Sequence, residues 1–338
     1  MNKKRVLAML LAGAMALSMT ACGGNSASTD GSSNDGGASA SGGSYKVSVI
    51  LKTLAAEYWQ YVKSGAEDYA SEHSDKVTVE VKGPSSETAF DEMQNMIETD
   101  LSSGSYDGVI ISPLQSDTAA QLVSGTKLPI VAIDTNFTAP EVKSFVGTGN
   151  EAAAKKGGEA AVEAAKAAGW TDIKCIEIAG VQGDQTNTAR MNGYKAGVDE
   201  AGGTFLSDEV QYADATADRA TTAMEAIMQT HPEGIAIICA NNDDMAMAAA
   251  RAAQGHDAYK NTIFIGFNGD RAACEAILAG QMTMSVAQMA YEMGYKAVET
   301  MVQVLDGETV DEFVDSGSDV VTPDNAQERL DTLKTQLH

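Results

Sequence analysis

Asn241-Asn242-Asp243-Asp244 sets two amides beside two carboxylates, between the apolar run Ile235–Cys239 and an alanine-rich helical pattern. An amide both donates and accepts hydrogen bonds and a carboxylate accepts them. The group is therefore built to hold hydroxyls, and it offers no obvious nucleophile. Residues of the same kind end other apolar runs. Lys52 follows Val47–Leu51, and Tyr58-Trp59 open the helical stretch beyond it. Asp134 ends Ile130–Ile133, and Arg190 lies in the loop-to-helix segment after Ile178. Asn242 follows Cys239, Asn268 follows Phe267 and Gln288 follows Val286. In an open α/β sheet, ligands sit outside the carboxyl ends of strands, so these residues would meet in one crevice. Asp accepts, Lys and Arg donate, and Asn and Gln do both, which matches sugar hydroxyls. The aromatic pair offers a face for the apolar side of a pyranose or furanose ring. Each residue also has a plainer reading: Lys52 as a solvated strand end, Trp59 as core, Asn242 as a helix cap.

Bond-breaking chemistry finds less support. Gly147-Thr148-Gly149-Asn150-Glu151-Ala152 fits G-x-G-x-x-A between a strand and a helix, with Asp172 about 20 residues on. It falls where the chain pattern restarts, not after the first strand, so chain crossing and bending explain its glycines better than a nicotinamide does. No Gly-x-Ser-x-Gly elbow, Walker loop or His-Glu-x-x-His is present. Adjacent carboxylates such as Asp243-Asp244 at a helix start usually serve as caps. The four histidines are scattered, with no Cys/His spacing of metal type. We expect no enzyme activity, no metal and no cofactor. A formal charge of −24 repels phosphate backbones, which argues against nucleic acid. Cys175 and Cys239 lie in apolar strand patterns and read as small buried hydrophobes, with Cys274 elsewhere.

The elements that must position these residues alternate along the chain. Strands read at Val47–Leu51, Val77–Val81, Val109–Ser112 and Ile130–Ile133, with helices between them. One of those helices sets Trp59, Val62, Ala66 and Tyr69 on one face. After Phe145-Val146-Gly147 the pattern restarts with a long helix from Glu151 to Ala168. Strands follow at Ile173–Ile178, Thr204–Val210, Ile235–Cys239, Ile263–Phe267 and Met282–Val286, each with an intervening helix. Helices read near Thr188–Ala201 and Tyr291–Leu305, and the tail from Pro323 reads as a last helix. Such alternation predicts right-handed βαβ units. The fold class is α/β, with two doubly wound parallel-sheet lobes joined by a hinge near Gly147–Gly149. The expected lobes are 45–148 with 289–318, and 149–288 with 319–338.

Lys3, Lys4 and Arg5 precede a short apolar run and then small residues before Cys22. That is an export signal, expected at 1–21, because a run of roughly 15 residues falls short of the ~20 that span a bilayer. The small residues before Cys22 resemble the lipobox of bacterial lipoproteins, in which the cysteine carries lipid. Residues 22–44 hold Gly, Ser, Ala, Asn and Asp with hardly an apolar side chain, a composition expected of a flexible tether.

The motifs in combination resemble the type I periplasmic sugar-binding proteins, the ribose-, allose- and galactose-binding group. They are Val49-Ile50-Leu51-Lys52-Thr53-Leu54 with Tyr58-Trp59, Ile110-Ile111-Ser112-Pro113-Leu114, Ile133-Asp134 and Arg190-Met191-Asn192-Gly193-Tyr194. Further along stand Cys239-Ala240-Asn241-Asn242-Asp243-Asp244-Met245-Ala246-Met247, Gly266-Phe267-Asn268-Gly269 and Gly280 through Gln288. The Lys52 and Asn242 segments look most like the allose-binding members. The resemblance implies a monomeric extracytoplasmic receptor, lipid-anchored through Cys22, that closes on one monosaccharide and presents it to ABC permease subunits. A polyol, inositol or furanosyl signal ligand, or a purely sensory role, would suit the same residues. Departures from the family pattern are Ala55-Ala56-Glu57 in place of an Asn-Pro, Thr135 in place of a longer polar residue, and Asn268 in place of Asp. Ala217 replaces a stacking aromatic, for which Tyr212 is the candidate substitute.

Overall fold

The computed structural model describes residues 44–337, so the signal, Cys22 and nearly all of the tether lie outside the described residues. The chain runs β1 (Tyr45–Ile50), α1 (Glu57–Glu72), β2 (Val77–Lys82), α2 (Phe90–Ser103), β3 (Gly108–Ile111), α3 (Ser116–Val123), β4 (Ile130–Ile133) and β5 (Val142–Gly147). These strands, with β12 (Phe313–Asp315), form a six-stranded sheet in the order β12-β5-β4-β3-β1-β2, with every pairing parallel. A parallel strand covered on both faces must be apolar throughout. Gly-Val-Ile-Ile and Ile-Val-Ala-Ile, the buried β3 and β4, are such strands. Ile130 and Ala132 face the core under α2 and α3; Val131 and Ile133 face the core that contains α1.

The second half runs α4 (Asn150–Ala167), β6 (Lys174–Ala179), α5 (Gln185–Glu200), β7 (Thr204–Phe205), β8 (Gln211–Tyr212), α6 (Ala217–Thr230), β9 (Ile237–Ala240), α7 (Asp243–Ala253), β10 (Ile263–Asn268), α8 (Arg271–Leu278) and β11 (Met284–Gln288). With β13 (Ser318–Val321) they make a seven-stranded sheet, ordered β13-β11-β10-β9-β6-β7, with β8 also on β6. Among the described strands only β13 runs antiparallel, against β11. The expected strand Thr204–Val210 is instead two short strands separated by a 3-10 turn at Ser207–Glu209. Polar Ser207-Asp208 favour the turn, which Glu209 N closes onto Leu206 O at 3.0 Å.

Two helices complete the chain. The first, α9 (Ala290–Leu305), returns to pack on α1; the other, α10 (Ala326–Thr335), packs on α8. The approach of α1 and α9 is backbone to backbone. A Cβ on Gly65 would stand 1.9 Å from Tyr291 O, and one on Gly294 would stand 1.9 Å from Val62 O. Glycine at both points lets α1 seat deeply, and this sets the position of Tyr58 and Trp59 in its first turn.

The chain passes between the sheets three times: after β5, after β11, and between β12 and β13. Ser316 N donates to Gly147 O at 2.8 Å, Thr148 Oγ1 lies 3.4 Å from Ser316 Oγ, and Met289 N reaches Gly317 O at 3.4 Å. The Gly147-Thr148-Gly149 motif is one of these crossings. Among the described residues no helix is long and apolar enough to cross a membrane.

Candidate functional site

The carboxyl ends of both sheets open onto one cleft of about 620 Å³. Lys52, Tyr58, Trp59, Asp134, Arg190, Asn242, Asn268 and Gln288 all line it. All but Arg190 reach the cleft from a strand end or the first turn of a helix; Arg190 reaches it from the second turn of α5.

On the first sheet's side, Asp134 is the centre. Its Oδ1 accepts from Tyr58 Oη at 2.8 Å, its Oδ2 accepts from Thr135 Oγ1 at 2.8 Å, and Lys52 Nζ stands 3.8 Å from Oδ2. Asp134 holds φ 62°, in the left-handed region that costs a non-glycine residue of order 1 kcal/mol. Burial first, then the Asp134 charge and hydrogen bond, push the Tyr58 hydroxyl well above its ordinary range, so it stays a donor. Trp59 is 4% exposed, its Nε1 donates to Glu87 Oε1 at 2.8 Å, and it meets Tyr58 edge to face at 5.0 Å. It is a core residue and a wall of the cleft at once.

On the second sheet's side, Arg190 from α5 is 8% exposed. Its Nε donates to Asn150 Oδ1 at 2.8 Å and its Nη1 to Asn241 O at 3.0 Å, while the guanidinium lies 3.9 Å over the Phe267 ring. Burial draws its pKa below the arginine norm, and the Asp134 charge opposes this. Asn242 caps α7, accepting from Met245 N at 2.9 Å, and its Nδ2 donates to Ala215 O at 3.2 Å. Cap and cleft residue are thus the same side chain. Asn268, at φ 138°, accepts from Gln288 Nε2 at 2.9 Å, and Gln288 O receives Arg329 Nη2 at 2.8 Å. Asp243 turns away from the cleft. Fully buried, it accepts from Ser285 Oγ at 2.6 Å and Gly269 N at 2.7 Å; burial pushes its carboxyl up to about 8 against those bonds.

The cleft also holds Asp244, read in the sequence beside Asn242, and residues that sequence reasoning passed over: Glu57, Glu87, Asp184, Thr186 and Asp270. Asp184 and Asp270 cap α5 and α8, accepting from Asn187 N and Ala273 N, and their place just before helices was a readable signal. Glu57 had none. It meets Arg271 from the other side of the cleft in a two-pronged ion pair, Nε to Oε1 at 2.7 Å and Nη2 to Oε2 at 3.0 Å. Tyr61 Oη steadies the same carboxylate at 2.7 Å. Tyr212 is not among the lining residues and stands 41% exposed, which corrects its candidacy as a stacking aromatic: β8 ends on the sheet's outer part.

Among the described residues no histidine, cysteine or serine lines the cleft. Among the described residues no group of three His, Cys, Asp or Glu could hold a metal. Cys175 and Cys239 are buried free thiols 3.3 Å apart, and Cys274 is buried within α8. What the arrangement can do is surround a small polyhydroxylated molecule with fixed donors and acceptors from two sides.

Residues 47–309 match the family described as periplasmic binding protein domain. The chain is 30% identical over 264 residues to the D-allose-binding periplasmic protein of Escherichia coli (strain K12), covering 75% of this chain and 82% of that protein. It is 28% identical over 268 residues to the ribose import binding protein of the same organism, covering 78% and 86%. Among solved structures, an ABC transporter solute-binding protein from Agrobacterium vitis with bound D-fucose has a TM-score of 0.72 at 24% identity, over 87% of this chain and 100% of that one. One from Actinobacillus succinogenes with bound D-allose has a TM-score of 0.73 at 20% identity, over 84% and 99%. These structural likenesses extend to the fold.

Proposed function

The chain belongs to the periplasmic binding protein domain family, and from that membership we propose an extracytoplasmic receptor that captures one monosaccharide and delivers it to the membrane subunits of an ABC importer. The observation that carries the reading is the cleft itself. Lys52, Tyr58, Trp59 and Asp134 from one lobe face Arg190, Asn242, Asn268 and Gln288 from the other and from the crossing. Donors and acceptors are mixed, as hydroxyls require. The relatives named for D-allose and ribose support an aldose of that size.

The mechanism is closure. Lobes 45–148 with 289–318 and 149–288 with 319–338 turn about the three crossings, and ligand favours the closed form because only there do both sets of contacts form. Glu57 and Arg271 add a clasp across the cleft, partly exposed and therefore weak, on the order of 1 kcal/mol or less. The receptor acts as a monomer, held at the membrane through lipid on Cys22.

Small-angle scattering tests closure. Saturating sugar shrinks the radius of gyration, and Arg271→Ala without ligand gives a larger radius than wild type. Identical profiles with and without a bound sugar would remove hinge closure from the mechanism.

A further inference from the structure

Behind Arg190 lies a second polar layer that never reaches the cleft. Glu177, in the middle of β6, is 0% exposed; Asn187 and Asn241 beside it are 2% and 6% exposed. Asn241 Nδ2 spans Glu177 Oε1 at 3.4 Å and Asn187 O at 3.3 Å, and Asn187 Oδ1 receives Gly180 N at 2.6 Å. Asn241 O in turn receives Arg190 Nη1. A chain of contacts therefore runs from Glu177 through Asn241 to the guanidinium.

A carboxylate buried next to an arginine usually takes the planar fork of the guanidinium in two parallel bonds. Here the fork goes elsewhere. Arg190 gives Nε to Asn150 and Nη1 to a backbone carbonyl, and stacks on Phe267. Glu177 keeps one long bond to a neutral amide, and no donor among the described residues reaches its Oε2. The buried Asp243 carboxyl takes a hydroxyl and a backbone N–H at 2.6 and 2.7 Å, and even that solvation leaves it pushed up to about 8. Glu177 lacks that solvation, and an ionised form would be a buried charge left half unsatisfied.

We propose that Glu177 is a positioning residue for Arg190 that works as a neutral acid: it anchors Asn241, whose carbonyl aims the guanidinium, and leaves the Arg190 charge uncancelled for the ligand. The proposal rests on Arg190 being a ligand contact. Burial, against the Asn241 bond and the Arg190 charge, pushes the Glu177 carboxyl up to about 8. The other titratable groups around it are the Tyr194 hydroxyl, which donates to Gly266 O, the Cys239 thiol opposite it on β9 and the Cys175 thiol that Cys239 meets at 3.3 Å; burial raises the Tyr194 and Cys239 groups.

The test uses the full-length protein with labelled arginine side chains, following the Arg190 Nε–H resonance without ligand and identifying it by its loss in Arg190→Lys. In wild type the resonance shifts with a midpoint near 8 as Glu177 ionises. In Glu177→Gln it is present and no longer moves. In Glu177→Ala it broadens through exchange with water. With D-allose and D-ribose as probes near pH 7, Glu177→Gln binds within about twofold of wild type, and Glu177→Ala at least about fivefold more weakly. A wild-type resonance that does not move between about pH 6 and 9.5, or a folded Glu177→Gln that loses it or binds tenfold more weakly, overturns the proposal in favour of a counter-ion. Should the wild type bind neither probe, the monosaccharide reading fails, while the ligand-free resonances still decide the state of Glu177.

Discussion

Arg190→Ala removes a guanidinium that is 8% exposed and wedged between Phe267 and the start of α4. Of its five N–H donors, two are occupied inside the lobe by Asn150 Oδ1 and Asn241 O, and the other three are not engaged there. One hydrogen bond from a charged donor contributes about 1.5–3 kcal/mol, a factor of roughly 10 to 150 in Kd. Calorimetry with a sugar that wild type binds should therefore show Kd raised at least tenfold. The same change leaves a buried carbonyl and amide oxygen without that donor, at about 1–3 kcal/mol of stability. At roughly 2–4 °C per kcal/mol for a chain of this size, Tm falls by several degrees. Arg190→Lys separates the two effects, since an ammonium keeps the charge but cannot span both acceptors in one plane. It should bind more weakly than wild type and more tightly than alanine. Wild-type affinity in Arg190→Ala refutes the reasoning, even if Tm falls, because the residue would then be structural alone.

Two further outcomes follow from the same account. Glu177 and Asp243 have folded pKa values raised to about 8, from ordinary values of 4.5 and 3.8. A raised folded value means that stability is fully present below the unfolded pKa and is lost as pH rises through the folded one. Tm without ligand should therefore fall between pH 6 and about 8.5, and Glu177→Gln should flatten part of that fall; a Tm rising over this range contradicts it. Cys22→Ser, expressed in a bacterial host, should shift the protein from the membrane fraction to the soluble one, and unchanged membrane association would exclude lipid on that residue.

Much of the site was legible because apolar runs stop abruptly. Ile133-Asp134, Phe267-Asn268 and Val286-Ala287-Gln288 each set a polar residue at or just past the end of a buried strand. Asn242 was legible twice over, as cap and as cleft residue, since both follow from its place between β9 and α7. Glu57 and Arg271 stand 214 residues apart, and only the folded arrangement of two lobes brings them together. Glu177 was hidden for the opposite reason. Within Lys-Cys-Ile-Glu-Ile-Ala a charged residue reads as the solvated position of an alternating strand, and only helix α5 covering that face makes it buried. The break at Ser207–Glu209 was missed because a marginal edge segment carries little periodicity, so local turn chemistry decides it. The aromatic sought at Tyr212 went astray through the same segment.

Thermal shift against a panel of about thirty monosaccharides, polyols and amino acids at ~1 mM bears most directly on the central claim. A micromolar ligand at that concentration stabilises by about 4 kcal/mol, a rise of order 10 °C. Such a rise is expected with one or two aldoses of the allose or ribose kind, and none with amino acids. A response confined to amino acids or inositols, with every aldose silent, would contradict it.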